Sequence, residues 1–219
     1  MLTFLEEHFL LLSLMAATAV SITVLFMYRK ILEISGIHTC LLAFVHTFMG
    51  VVSVKIFGAL ETSDDILNAS MSLFGAIFFL PLFYFIYGKV MKKDIRTVFD
   101  ILSICLIGSL MCVRGNCIVS GCCMGLPIPG TDIYWPTREA EIVFWMIIFL
   151  KYLNHVEKKG VKGNLYPKMM AFYGVFRFIE EFFRQGTSLA GALHISHIWA
   201  IISFCIGSTL YFWTSESER

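Results

Sequence analysis

The stretch Tyr173–Arg184, YGVFRFIEEFFR, sets two arginines and two glutamates in a segment otherwise suited to hydrocarbon. At about 100° of turn per helical residue, Tyr173, Arg177, Glu180, Glu181 and Arg184 share one narrow stripe. Phe172, Val175, Phe178, Ile179, Phe182 and Phe183 fill the rest of the wheel. Such a helix shows aromatic rings to lipid and turns its charges toward a protein interior or a wet cavity. A charge at membrane depth costs at least about 2.5–3.5 kcal/mol on insertion scales, so charges there mark functional pathways. The plainer reading is a clasp, in which Arg177–Glu181 and Glu180–Arg184 pair at i,i+4 and do no more than hold helices together. Two arginines and a tyrosine exceed what a clasp needs, and the stripe reads as a site.

Working outward, the whole chain is apolar: 58% of its 219 residues are hydrophobic and 15% are charged. With a mean hydropathy of +0.77, it lies well beyond the roughly 45–50% apolar content of soluble domains. A net charge of +1 and the lack of a basic tail give no footing for nucleic acid. Seven segments can each supply most of the roughly 20 apolar residues that a crossing needs, near 9–27, 37–57, 68–88, 98–114, 139–154, 168–185 and 195–213. The N-terminus lacks lysine and arginine, whereas Arg29 and Lys30 follow the first span. That polarity is wrong for a cleavable signal, so the first span is expected to stay as an anchor.

Lysines and arginines then collect in alternate connections: Arg29 and Lys30; Lys89, Lys92, Lys93 and Arg96; Lys158, Lys159, Lys162 and Lys168. Glu61, Asp64, Asp65, Asp132 and Glu139 occupy the others, with Arg114 and Arg138 as the only bases. The positive-inside rule then gives an all-α polytopic membrane protein. It has about seven transmembrane helices, N-out and C-in, within a single membrane domain over 1–219.

Several segments carry further expectations. The first span reads as plain lipid-facing sequence. His38 and His46 in the second read as hydrogen-bonded packing residues, and Lys55 as a snorkelling base. The acidic run 58–66 is expected as a short outer loop. In the third, Pro81 suggests a kink, and Tyr84 and Tyr87 suit an inner interface belt. Residues 112–127, CVRGNCIVSGCCMGLP, carry Gly115, Gly121 and Gly125 before Pro127 and Pro129, which predicts an irregular loop lining a central cavity. Arg114 at its start is either an anion-binding guanidinium or a headgroup anchor. Cys112, Cys117, Cys122 and Cys123 form no CxxC pair and have no histidine nearby, which disfavours zinc. A disulfide stays open, and small buried packing residues are the default reading. Pro136–Thr137–Arg138–Glu139 looks like a helix start, making Glu141 either a first-turn acid or a partner of Arg114 or Arg177. His194 and His197 are expected three apart on one helical face at the outer end of the last span.

The two unusual regions together resemble the prolipoprotein diacylglyceryl transferase family. YGVFRFIEEFFRQ is similar to that family's tyrosine–glycine–x–x–arginine helix with its glutamate–phenylalanine–phenylalanine–arginine end. RGNCIVSGCCMG is similar to the signature loop of Gram-positive members, departing at Asn116. WPTREAE occupies the place of the family's histidine–proline–serine–glutamine–leucine–tyrosine–glutamate segment, keeping Pro136 and Glu141 but carrying Trp135 and Ala140. The third-span motif reads MSLFGA, in which Gly75 survives and the histidine does not.

The resemblance implies transfer of diacylglyceryl from phosphatidylglycerol to a lipobox cysteine thiol at the outer leaflet of a bacterial plasma membrane, with no cofactor or metal. By motif position, Tyr173 and Arg177 are catalytic. Arg114, Arg184, Glu181, Glu141, Gly121 and Gly125 form the phospholipid site. His194 or His197 is a candidate for the base. The alternative is an accessory protein that binds phospholipid without turnover. A small-solute transporter is a third reading, weakened by the lack of an internal repeat.

Overall fold

A computed structural model describes residues 2–62, 65–66, 68, 71–185, 188–190 and 193–216, and the side chains of all of these except 2–7 and 188–190. The described chain is helical at each of the seven expected places. These are α1 Leu2–Leu32, α2 Gly36–Thr62, α3 Leu73–Val90, α4 Ile95–Val119, α5 Thr137–Lys159, α6 Leu165–Glu180 and α7 Ile195–Glu216. Five of them, α1 to α4 and α7, are long and apolar enough to cross a membrane. Of the remaining two, α5 ends in a basic run at Lys158 and Lys159, and α6 has only 16 residues. A short antiparallel pair, β1 Ser188–Ala190 and β2 Leu193–His194, precedes α7.

Helix α4 is the pillar. Every residue from Asp100 to Leu110 is buried, because α1, α3, α5 and α6 pack around it while α2 leans on α1 and α3, and α7 on α6. A helix apolar on all sides belongs in the centre of a bundle. Glycines set the closest approaches. A Cβ at Gly174 would come 2.6 Å from the Ala200 carbonyl, and one at Gly207 would come 2.7 Å from the Pro167 carbonyl, so α6 and α7 meet backbone to backbone.

Three expectations are corrected here. Helix α1 is not simply lipid-facing: Ala17, Val24, Leu25 and Leu32 are buried, and Ser21 Oγ lies 3.2 Å from Ser109 Oγ of α4. Tyr84 and Tyr87 do not sit in an interface belt. Tyr84 is fully buried, bonded to His46 Nε2 at 3.0 Å and donating to the Leu102 carbonyl at 3.3 Å; Tyr87 reaches His38 Nε2 at 3.2 Å. A buried phenol takes an interior partner when one is offered, and the two histidines are the packing residues they were read to be. The acidic run 58–66 is not all loop, since α2 continues to Thr62 and carries Glu61; Asp64 lies outside the described residues. Pro81 lies inside α3, and the helix runs on to Val90.

The connections gather at two ends. At one, Lys93 Nζ donates to the Glu33 carbonyl at 2.9 Å, and Gly163, at φ +78°, presses on Arg96. There Asp100 accepts the backbone N–H groups of Lys162, Gly163 and Leu165 at 2.8, 2.7 and 2.9 Å. At the other end the segment 120–136 docks on the end of α6: Leu126 N–H donates to the Phe183 carbonyl at 2.8 Å and Gln185 N–H to the Met124 carbonyl at 3.1 Å.

Candidate active site

The charged stripe is one half of an ionic cluster, and the other half comes from α4 and α5. Glu141, in the second turn of α5, is 1% exposed. Its Oε2 lies 2.6 Å from Arg114 Nη2 and 3.9 Å from Arg177 Nη1. Its Oε1 accepts from Trp145 Nε1 at 3.3 Å and from Tyr173 OH at 3.5 Å. The Trp145 indole lies over the Tyr173 ring, centroids 4.9 Å apart, so both donors are held by stacking. The open question about Glu141 is answered: it partners both arginines.

Around Arg177 the pairing differs from a simple i,i+4 clasp. Nη1 donates to Glu180 Oε2 at 2.6 Å, and Nη2 lies 2.8 Å from Glu181 Oε2, an ion pair without hydrogen-bond alignment. Helix α6 stops at Glu180 and tightens into a 3-10 turn over Glu181–Phe183. That turn carries Arg184 to within 3.8 Å of Glu181 Oε2. Glu181 also takes His194, Nδ1 to Oε1 at 3.1 Å.

Arginines 114, 177 and 184 thus face glutamates 141, 180 and 181, all buried or nearly so. Charges balance, yet donors do not. Among the described residues, none accepts from Nε of Arg114, Arg177 or Arg184. A buried donor left without an acceptor costs about 1–3 kcal/mol, more when charged. The three guanidiniums therefore have unmet demand for oxygen acceptors.

The signature region is corrected in one respect. Helix α4 runs unbroken to Val119, so Arg114, Gly115 and Cys117 are helical, and the irregular segment begins at Ser120. A single interior glycine costs a helix only about 1 kcal/mol, which packing overrides. Gly121, at φ +66°, takes the left-handed turn that glycine adopts without strain. Gly125 bridges to Arg184 under the Trp135 carbonyl, with no room for a side chain. Both glycines shape the segment that covers the cluster. With Trp135 and Pro136 the segment borders an open side groove that also meets Phe176, Ile179 and Glu180. A pocket among α1–α4, reaching His46 and Leu110, is walled almost wholly by helices.

Thr137 opens α5 as expected, its hydroxyl donating to the Cys123 carbonyl at 3.3 Å. His194 is not on a helical face with His197, since α7 begins at Ile195. Instead His194 N–H donates to His197 Nδ1 at 2.9 Å, which leaves the His197 proton on Nε2. The His197 ring packs against Phe178 and Phe182. The cysteines of the region are not buried packing residues either: Cys122 is exposed, Cys112, Cys117 and Cys123 are half-buried, and all are free thiols. A hydrogen bond with Cys117 and the nearby Arg114 guanidinium hold the Cys123 thiol well below the ordinary thiol range.

Sequence reading missed Trp145, Glu180 as the closest partner of Arg177, and the thiols on Arg114. The first two were findable, because Trp145 lies one turn from Glu141 and Glu180 lies on the stripe. Contact between Arg114 and Cys123 depends on how the segment folds back, and no spacing announces it.

A family model for prolipoprotein diacylglyceryl transferase matches residues 7–213. The chain belongs to this family. No curated protein matches the sequence. Prolipoprotein diacylglyceryl transferases act in membranes on lipid and lipoprotein-precursor substrates. A transferase-type function and a multi-pass membrane setting follow from membership together with the apolar helices.

Proposed function

We propose that the protein transfers diacylglyceryl from phosphatidylglycerol to a cysteine thiol of a lipobox-type membrane-anchored peptide. The observation that carries this reading is the set of three guanidiniums, buried at Arg114 and Arg177 and half-buried at Arg184, whose Nε donors lack acceptors among the described residues. A phosphate diester supplies such oxygens, and arginine's planar fork suits them. Because the cluster's charges balance, the phosphate is held by spare donors rather than by net charge. The acyl chains extend along the groove beside Glu180.

In the reaction, thiol sulfur bonds to the glyceryl carbon, the carbon–oxygen bond to phosphate breaks, and glycerol phosphate leaves with the electron pair. Charge on the phosphate grows as it departs, and Arg114, Arg177 and Arg184 offset that growth in a water-poor site. Tyr173 donates to Glu141 beside the reacting end, and Glu141 orients two of the arginines. A neutral thiol is a poor nucleophile, so a base is needed. His194 supplies one: Glu181 holds its Nδ1, and Nε2 stays available to take the proton. His197 does not, because its Nδ1 already accepts a backbone N–H. All seven helices cross the bacterial plasma membrane, N-out and C-in, with the cluster toward the outer leaflet. The clustering of Arg29, Lys30, Lys93, Lys158 and Lys159 at the opposite end supports this orientation.

Purified protein incubated with phosphatidylglycerol should add a diacylglyceryl mass to a lipobox peptide, read by mass spectrometry. Phosphatidylglycerol that co-purifies without turnover over a panel of thiol acceptors would instead support the accessory-binding reading, which the missing third-span histidine favours.

A further inference from the structure

We infer that Cys117, Cys122 and Cys123 form a three-thiolate site for a soft monovalent cation, copper(I). Their sulfurs all lie within 4.8 Å of one another. A metal about 2.3 Å from each of three sulfurs needs them roughly 4 Å apart, so the thiols are already near the required triangle.

The surroundings are built for sulfur anions. Two of the sulfurs have a guanidinium donor: Arg114 Nη1 reaches Cys117 at 3.6 Å and Cys123 at 3.7 Å; Ser120 Oγ, which donates to the Asn116 carbonyl at 2.8 Å, lies 3.2 Å from Cys122. Outer donors of this kind orient metal ligands and tune them. The backbone behind the sulfurs is pinned as well. Arg138 Nη1 donates to the Cys117 carbonyl at 3.2 Å, and Thr137 Oγ1 holds the Cys123 carbonyl. Cys123 itself adopts φ 58°, a left-handed conformation that non-glycine residues rarely take, and it turns two adjacent cysteines toward Cys117.

The ligand set selects the ion. Soft thiolates favour copper(I), whereas structural zinc takes four protein ligands. Among the described residues the group contains three candidate ligands and no fourth. Two guanidiniums, Arg114 and Arg138, stand beside the triangle, one on the sulfurs and one on the Cys117 carbonyl. Exposed Cys122 opens the site to the loop surface, so the ion arrives without passing the buried ionic cluster.

The test is an anaerobic titration of the reduced, detergent-purified full chain with copper(I), followed by sulfur-to-metal charge-transfer absorption and X-ray absorption spectroscopy. One ion with three sulfur neighbours is expected, and C40S/C112S/C205S should retain it. C122S changes only an exposed side chain, so it keeps the fold. It should lower the sulfur count to two and weaken binding at least about tenfold, a loss that even outer-shell changes produce. Undiminished affinity in C122S or in C117S/C122S/C123S would overturn the assignment. So would two-sulfur coordination in the unaltered chain, or a four-coordinate zinc complex that copper(I) does not displace.

Discussion

Asp100 and Glu141 are two buried carboxylates in one helical bundle, 0% and 1% exposed, and they are satisfied in opposite ways. Asp100 is met by three neutral backbone N–H groups of the segment before α6. The donors belong to one turn of the segment before α6. Glu141 is met by two arginines, a tryptophan and a tyrosine, and the arginines keep donors in reserve. Backbone donors make an anchor, since they cannot leave without unfolding the turn. Guanidiniums on separate helices can exchange one oxygen acceptor for another, as the proposed site requires. Burial alone does not distinguish the two ends of this molecule; the identity of the donors does.

The contrast can be broken by substitution. The largest effect is expected from Arg177→Lys, which keeps a charge among the glutamates but removes the planar fork. Diacylglyceryl transfer should fall about 10²–10³-fold, the range for losing one oriented transition-state donor, with expression intact. Transfer that survives this change would remove α6 from the mechanism. Asp100→Ala should cost at least about 2 kcal/mol of stability, since the buried N–H donors of Gly163 and Leu165 are stranded at about 1 kcal/mol or more each. Thermal unfolding in detergent measures it, and activity per folded molecule should hold. Loss of activity without loss of stability would move Asp100 from anchor to site.

Glu141→Gln should do the reverse, lowering transfer about tenfold to a hundredfold, as expected for a hydrogen bond to a charged group worth 1.5–3 kcal/mol. Its unfolding midpoint should shift less than that of Asp100→Ala; an equal shift would dissolve the distinction between the two carboxylates. Tyr173→Phe is the smallest change. Its hydroxyl lies 3.5 Å from Glu141, so it should cost about 1 kcal/mol, or roughly fivefold in rate, measured as initial rate of peptide lipidation.

Much of this molecule was legible from residue order. Hydrophobic runs placed helices at all seven expected positions, because a chain in lipid must satisfy its backbone within each segment. The stripe at Tyr173, Arg177, Glu180, Glu181 and Arg184 was visible because helical period alone puts those residues on one face. Glu141 and Arg114 stood out as charges in apolar surroundings. Other features depended on how the helices meet. No local rule predicts that Glu141 chooses Arg114 over Arg177, which follows from α4 and α5 packing side by side. The end of α6 at Glu180, and the 3-10 turn that brings Arg184 to Glu181 instead of Glu180, follow from docking of the 120–136 segment. The meeting of two thiols at Arg114, with the third beside them, likewise needs the left-handed turns at Gly121 and Cys123. Periodicity and charge are properties of one segment, so one segment's sequence carries them. Pairing across helices is set by packing geometry shared among segments, and it exists only once the bundle has formed.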